Sequence, residues 1–140
     1  QPGAQNAALN LSRQDLSGAC LRKANLAGVD LSYANLEFCD LQEANLRGAN
    51  LRHANLRFAS LCQADLSRAN LTCAALHDAD LAEAKIHHTI LSGADLRNAS
   101  FCEADFNAID FSTAIIYRTD FRGCKYKNTP PPVSTEPGRQ

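Results

Sequence analysis

A leucine recurs at every fifth residue over most of this chain, and that spacing excludes most ordinary folds. The stretch ANLRGANLRHANLRF, residues 44–58, shows the pattern three times in succession. Five residues turn an α-helix by about 500°, so successive leucines would be spread around the helix instead of lying on one side. A flat β-strand fails as well, because its side chains alternate with a period of two and an odd spacing would move every second leucine to the opposite face.

The repeat instead predicts a chain that bends at the same place in every unit. The leucine position continues without insertion or deletion from Leu11 to Tyr126, with Ile, Phe or Tyr replacing Leu towards the C-terminus. Two residues earlier the usual residue is Ala, one residue earlier it is Asn or Asp, and the two following residues vary. Asn and Asp bond to nearby backbone and tolerate turn geometry. We therefore expect Leu and Ala to point inward and the variable residues to face outward.

The motif A-[DN]-L-x-x resembles the repeat of the pentapeptide-repeat family, and it covers residues 9–126. The resemblance implies an all-β fold, a right-handed quadrilateral parallel β-helix (the pentapeptide-repeat solenoid) with four repeats in each coil. The 24 leucine-type positions then give about six coils. The implied organisation is an N-terminal lead-in at 1–8, the β-helix at 9–127 and a disordered, Pro-rich tail at 128–140.

The repeat becomes irregular towards its C-terminal end. The segment KIHHTI, residues 85–90, departs from both the Ala and the Asn/Asp positions, so we expect a bulge there. No capping helix is apparent at either end of the repeats. The last coil, with Phe111, Ile116, Phe121 and Tyr126, would therefore leave an apolar open β edge. A homodimer through the C-terminal coil is one way to cover that edge.

The residue types that usually carry out chemistry form no pattern typical of an active site or a metal site. The six cysteines contain no CxxC pair, and Cys62 and Cys102, which share a column, lie two coils apart, too far for a disulfide. Free thiols favour a reducing compartment, so we expect a cytoplasmic protein. The histidines do not cluster, and the regular Asp residues are explained by the turns. We expect no enzyme activity, no cofactor and no metal.

The charge balance argues against an electrostatic partner. The chain carries 14 basic and 15 acidic residues, which gives a net charge of −1. Neither nucleic acid nor a charged membrane surface is therefore expected as a partner. No apolar run is long enough to span a bilayer. The expected partner is another protein.

Placing the sequence on a 20-residue coil brings one aromatic and basic column to the surface. Phe38 and Phe58 would stack on neighbouring coils, about 4.8 Å apart. Aromatic residues together with Arg are enriched among interface hot spots, although stacked aromatics also stabilise neighbouring strands. The predicted protein-binding residues are Phe38, Arg57, Phe58, His77, Arg97 and Tyr117.

Three functions remain open at this point. The first is a non-enzymatic scaffold that mediates protein–protein interaction through the flat solenoid faces, where outward residues vary without touching the core. The second follows from the family resemblance: some members mimic duplex DNA and bind a type II topoisomerase such as gyrase, conferring quinolone resistance. Glu43, Glu83 and Glu103 form an acidic column here, but the near-neutral net charge places this hypothesis second. The third is the substrate-recognition module of a larger adaptor, such as a BTB-domain protein.

Overall fold

The computed structural model describes residues 9–133, and within this range almost every five-residue unit bends in the same way. The residue before each leucine forms a β-bridge, and the two residues after it form a turn. In the unit around Leu56, the backbone N–H of Ala59 donates to the C=O of Leu56 at 3.1 Å and closes the turn. Phe58, the second turn residue, has a φ of 60°. A turn in which the second central residue has a positive φ and the first does not is a type II turn.

The Asn or Asp before each leucine holds the turn in place. In most units its side-chain oxygen accepts the N–H of the residue two positions on, as between Asn55 Oδ1 and the N–H of Arg57 at 3.1 Å. A Ser or Thr at the first turn position adds its hydroxyl, as Thr72 does to Asn70 at 2.6 Å. These are Asx turns, so the role predicted for Asn and Asp at the bend is confirmed.

Four turns complete a coil of 20 residues, and successive coils pair as parallel β-bridges. Asn35, Asn55 and Ala75 are consecutive partners in one column of bridges. The N–H of Asn55 donates to Ala34 O in the preceding coil at 3.0 Å, and the N–H of Leu56 donates to Ala75 O in the next at 2.7 Å. The described chain is a four-sided parallel β-helix of about six coils, which confirms the predicted fold class.

Leucine and alanine side chains fill the interior, as their positions in the repeat predict. In the central coils both are completely buried, with 0% of Leu56 and of Ala64 exposed. Towards the C-terminus the core becomes aromatic, and Phe106 stacks on Tyr126 with ring centroids 5.3 Å apart. One contiguous hydrophobic core therefore runs along the axis of the solenoid and holds the walls in fixed positions.

Polar residues that replace alanine at the inward position are satisfied by the preceding coil. Thr89 Oγ1 donates to Leu66 O at 2.7 Å, and Cys39 Sγ donates to Leu16 O at 2.8 Å. A buried hydroxyl costs free energy mainly when it lacks a hydrogen bond. These replacements consequently fit into the stack without interrupting it.

Three short strands form the most regular part of one wall: β1 (Lys85–His87), β2 (Asp105–Asn107) and β3 (Lys125–Lys127). They pair in parallel, in the order β1-β2-β3, with the unbroken 20-residue register of the other coils. The bulge predicted at 85–90 is therefore wrong. The segment stays in register because the hydroxyl of Thr89 is bonded inside the stack and no extra residue has to be accommodated.

A different irregularity lies one coil later, at a neighbouring turn. The N–H of Gly93 donates to Thr113 Oγ1 at 3.0 Å instead of to a backbone carbonyl. Among the second turn residues from 13 to 128, Thr113 is the one without a positive φ. Thr is branched at Cβ, and such residues rarely adopt the left-handed conformation. The side chain of Thr113 thus substitutes for the backbone contact that its own turn cannot make.

The last coil extends two residues beyond the boundary predicted at 127. Thr129 is buried, and its Oγ1 accepts the N–H of Ile109 at 2.7 Å. The segment 130–133 then lies beside residues 109–116. Because proline has no N–H, Pro130 to Pro132 cannot continue the ladder of bridges. The predicted lead-in at 1–8 and residues 134–140 of the predicted tail lie outside the described residues.

Candidate functional site

The turns determine which side chains the solenoid offers to a partner. The N–H of the second turn residue in one coil donates to the C=O of the first turn residue in the next, as from Phe38 to Arg57 at 3.0 Å. Turn residues 20 positions apart are therefore stacked one coil apart. All six residues of the predicted site occupy such positions along one corner of the solenoid, and we call them the aromatic wall: Phe38, Arg57, Phe58, His77, Arg97 and Tyr117.

Two stacked phenylalanines form the apolar part of the aromatic wall. The ring centroids of Phe38 and Phe58 are 5.0 Å apart, and the ring planes are within 7° of parallel. Phe38 is 61% exposed and Phe58 is 43% exposed. Both rings keep a large part of their apolar surface in contact with solvent, and that part is available to a partner.

Arg57 is held beside this stack by weak contacts. Its guanidinium carbon lies 5.9 Å from the centroid of the Phe58 ring, and Nη1 is 3.9 Å from Glu37 Oε2. Its Nε is buried and has no hydrogen-bond acceptor among the residues that the structure describes. Exposed pairs with such long contacts contribute little to stability. The guanidinium is thus positioned at the surface with part of its hydrogen-bonding capacity unused within residues 9–133.

His77 and Arg97 meet at one carboxylate. Asp95 Oδ2 lies 2.6 Å from Arg97 Nη2. It also lies 3.4 Å from His77 Nδ1, but the two atoms are not oriented for a hydrogen bond. Partial burial opposes the negative charge of Asp95, but hydrogen bonds from the guanidinium and backbone N–H of Arg97 outweigh it and lower the pKa of Asp95. Asp95 therefore stays ionised at neutral pH and fixes the direction of the Arg97 side chain.

Tyr117 closes the aromatic wall near the C-terminal end. The guanidinium carbon of Arg118 lies 5.4 Å from the centroid of the Tyr117 ring, within the range of a cation–π contact. The backbone N–H of Asn98 donates to Tyr117 O at 3.1 Å, so Tyr117 follows Arg97 by one coil. The wall therefore places aromatic groups at both ends and charged groups between them.

A second aromatic ladder occupies the adjacent corner, and its residues are not among the predicted protein-binding residues. The rings of Tyr33 and His53 are stacked at 4.8 Å, and the guanidinium carbon of Arg13 lies 4.4 Å from the Tyr33 centroid on the neighbouring coil. Tyr33 is 47% exposed. The 20-residue spacing that indicated the Phe38–Phe58 stack applies equally to Tyr33 and His53 and could have identified this ladder.

The acidic column lies on a different corner and is partly neutralised. Gln63 Nε2 donates to Glu83 Oε1 at 2.8 Å, so an amide stands between two of the carboxylates. Beside the column, Arg122 binds Asp120 at 2.7 Å. The hydrogen bonds from the side chain and backbone of Arg122 hold the pKa of Asp120 well below its ordinary value. A shallow cleft of about 560 Å³ runs along this corner past Glu103.

The cysteines and the other potential metal ligands are distributed over several parts of the solenoid. Between residues 9 and 133, no group of three or more His, Cys, Asp or Glu is placed to hold a metal ion. All six cysteines are free thiols. Burial raises the pKa of Cys39 and of Cys124, which both occupy the inward alanine position, so these two thiols are unreactive at neutral pH.

A cleft also lies at the C-terminal end of the solenoid. It has a volume of about 810 Å³ and is bordered by residues 109–116 and 130–133. Phe111 and Ile116 are partly buried against the core there, and Ile115 is 47% exposed. This is the end at which the sequence predicted a homodimer, which stays a prediction. Nothing between residues 9 and 133 forms a helix long and apolar enough to cross a membrane.

Comparison with solved structures finds several proteins to which this chain is similar. A pentapeptide repeat protein from the Arabidopsis thaliana thylakoid lumen is 24% identical, with a TM-score of 0.57, over 76% of this chain and 71% of that one. Rfr23, a pentapeptide repeat protein of the cyanobacterium Cyanothece 51142, is 23% identical over 86% of this chain and 83% of its own, with a TM-score of 0.46. QnrB1, a plasmid-mediated fluoroquinolone resistance protein, is 18% identical over 86% and 80%, with a TM-score of 0.38.

Comparison of sequences gives the family. No curated protein matches the chain. The family described as Pentapeptide repeats matches in eight copies, at residues 10–48, 49–87 and 89–125. These ranges cover most of the β-helix, and they agree with the five-residue turns and the four-sided coil seen in the structure. The chain belongs to the pentapeptide-repeat family.

Proposed function

We propose that this protein is a non-enzymatic scaffold that binds another protein through the aromatic wall. The observation that carries the proposal is the exposed stack of Phe38 and Phe58 beside the loosely held guanidinium of Arg57. Interfaces concentrate their binding energy in a few aromatic and Arg residues near the centre of the contact. A partner that covers the apolar surface still exposed on the two rings removes it from water, which is favourable.

The rigidity of the wall supports the same proposal. Except for Tyr117, each side chain stands on a turn whose backbone is bonded to both neighbouring coils, and Asp95 fixes Arg97 at 2.6 Å. Binding to groups that are already ordered costs less conformational entropy than binding to mobile ones. The wall therefore meets a partner with its shape largely formed.

A pull-down with quantitative mass spectrometry tests the proposal. The bait is wild type, the double variant Phe58→Ala with Arg57→Ala, or a control in which Glu83 and Glu103 are both changed to Ala. We expect the wall variant to lose specific partners that the control retains, because truncation of a hot-spot residue costs about 2 kcal/mol or more. If the wall variant captures the same partners as wild type, while the Glu83→Ala, Glu103→Ala control loses them, the binding surface would be the acidic corner instead.

A second candidate is a DNA mimic that binds a type II topoisomerase such as gyrase. It is favoured by the vertical register of Glu43, Glu83 and Glu103 on one corner. It receives less support than the scaffold, because Gln63 interrupts the column and Arg122 pairs with the neighbouring Asp120. Purified gyrase immobilised for surface plasmon resonance separates the two: the DNA mimic requires saturable binding that the Glu83→Ala, Glu103→Ala variant loses.

The remaining expectations extend the scaffold proposal. As a module of a larger adaptor, the chain would use the same wall, so the same variants test it. We place the protein in the cytoplasm, on the support of six free thiols, two of which are inside the core. The net charge of −1 supports a protein partner over nucleic acid or a membrane surface.

A further inference from the structure

One rung of the Phe38–Phe58 ladder is missing, and the gap lies over an exposed ring face. The residue one coil before Phe38 in this column is Gly18, whose N–H donates to Glu37 O at 2.8 Å. A Cβ built at Gly18 would meet no atom within 4 Å. Phe58 stacks on one side of Phe38, while the side towards Gly18 has no side chain from this column. We call this position the open rung; it lies one coil, about 4.8 Å, from the level of Phe38, which is close to the stacking distance of 5.0 Å within the ladder.

The adjacent corner shows what the same rung holds when it is filled. There Arg13, which precedes Gly18 by one repeat, lies over the Tyr33 ring at 4.4 Å, and Tyr33 stacks on His53 at 4.8 Å. The two corners thus carry the same two-ring ladder at the same height. One ladder is completed by a guanidinium from its own chain, and the other ends in the open rung.

The polar groups around the open rung favour a cation. Asp15 lies three residues before Gly18 and is bridged to Asn35 in the next coil. Its Oδ1 accepts the N–H and the hydroxyl of Ser17 at 3.1 and 2.8 Å. Glu37 precedes Phe38 directly, and its contact with Arg57 is a loose 3.9 Å. Asp15 and Glu37 therefore belong to the two coils that border the open rung, and within residues 9–133 neither is tightly paired with a cation.

An arginine fits this arrangement better than a lysine. A guanidinium is planar, stacks on an aromatic face and offers a fork of donors to carboxylates, whereas an ammonium is a compact and strongly hydrated point charge. We propose that the open rung over Phe38 receives an arginine side chain of the partner protein. This inference deepens the proposed function and rests on it.

The first test uses small probes and needs no partner. N-acetyl-arginine amide, N-acetyl-lysine amide and N-acetyl-phenylalanine amide are titrated separately, and the Phe38 ring and Gly18 amide signals are followed by NMR. We expect saturable shifts at millimolar arginine probe and weaker shifts with the lysine probe. Equal response to arginine and lysine, a stronger response to phenylalanine, or no response to any probe overturns the assignment to arginine.

Gly18→Phe blocks the rung from within the chain and supplies the specific control. Phenylalanine is tolerated at this turn position, since Phe38 and Phe58 both occupy it with φ near 60°. Gly28→Phe is the matched variant, because Gly28 also has a φ of 70° and open space around its Cβ position but faces no aromatic ladder. Gly18→Phe should abolish the shifts caused by the arginine probe, and Gly28→Phe should leave them intact. The reverse, or loss in both variants with the fold intact by circular dichroism, contradicts the proposal.

The second test uses any partner that the aromatic wall captures. Loss of one cation–π contact should make Gly18→Phe bind that partner about threefold to thirtyfold more weakly than Gly28→Phe does. If Phe58→Ala with Arg57→Ala abolishes binding while Gly18→Phe leaves it unchanged, the wall binds the partner but the open rung does not hold its arginine. If none of these variants changes binding, the proposed function fails as well.

Discussion

Truncating one leucine in the middle of the stack should destabilise the protein far more than the same change in the first coil. Leu56 lies in the central part of the solenoid and is 0% exposed, whereas Leu11 lies in the first described coil and is only partly buried. Both occupy the same position of the repeat, and the N–H of each bonds to the following coil at 2.7 Å. Leu56→Ala and Leu11→Ala therefore compare one substitution at two depths.

The expected loss at the central position is large because the walls cannot close on the cavity. Leu56→Ala removes three carbons from the core, which corresponds to about 2.4 kcal/mol of transfer free energy. The coils above and below are held apart by backbone hydrogen bonds on either side of Leu56, so the neighbouring leucines can relax little. The residual cavity raises the total to about 3–4 kcal/mol. Truncation of Leu11, which is only partly buried, should cost about 1 kcal/mol.

Urea unfolding monitored by circular dichroism measures both values from the shift of the midpoint at constant slope. Arg57→Ala serves as the surface control and should stay within about 0.5 kcal/mol of wild type. Equal losses at Leu56 and Leu11 would refute the reasoning, because the depth along the stack would then not determine the free energy of unfolding. A loss at Arg57 as large as at Leu56 would refute the assignment of inward and outward positions.

Three further changes test other parts of the structure. Ala64→Leu should cost about 1–3 kcal/mol in the same urea assay, because the completely buried site has no volume for a larger side chain. Thr129→Val removes the acceptor of the Ile109 N–H at 2.7 Å and should cost about 1–2 kcal/mol. Partial burial opposes the charge of Asp65, but hydrogen bonds from Ser67 and Arg47 outweigh it and lower the pKa of Asp65 from its ordinary value of 3.8. The ionised carboxylate therefore contributes to stability at neutral pH, and this contribution is lost as the pH falls below 3.8. Asp65→Asn should therefore reduce the dependence of the urea midpoint on pH below about 4, and an unchanged profile would contradict the shift.

The inward positions could be predicted from the sequence because they are fixed by period alone. The five-residue spacing of leucine is incompatible with a regular helix or a flat strand. It also identifies the leucine and alanine positions as the core, which the burial of Leu56 and Ala64 confirms. The left-handed turns could not be predicted in the same way. Between residues 9 and 133, eighteen residues other than glycine adopt them, among them Phe58 and Cys73, and only five glycines do, so glycine does not mark the position reliably. The stack of coils imposes that conformation on whichever residue stands there.

The candidate site was predictable in its columns but not in its pairings. The 20-residue spacing predicts that Phe38 and Phe58 are stacked neighbours, and the structure places their rings 5.0 Å apart. The contact of Arg97 with Asp95, in contrast, depends on side-chain rotamers that the repeat pattern does not determine. The bulge predicted at 85–90 failed for a related reason, since the hydroxyl of Thr89 found an acceptor in Leu66 O that the sequence alone does not reveal.

Whether the Phe38–Phe58 stack serves the fold or a partner can be decided by its coupling energy. A double-mutant cycle with Phe38→Ala and Phe58→Ala isolates the contribution of the ring pair to the free energy of unfolding. The core offers a matched pair in Phe106 and Tyr126, which have the same spacing of 20 residues, a centroid distance of 5.3 Å and planes within 8° of parallel. Phe106 is completely buried, and Tyr126 is partly buried against the core.

We expect the core pair, Phe106 and Tyr126, to couple by about 0.5–1.5 kcal/mol, the usual range for aromatic pairs. The exposed pair should couple by about 0.2–0.5 kcal/mol, at the low end for cross-strand neighbours, because both rings remain in contact with water and face each other almost without tilt. A coupling of the exposed pair as large as that of Phe106 and Tyr126 would mean that the ladder stabilises the solenoid. The exposure of Phe38 and Phe58 would then no longer support a binding role for the aromatic wall.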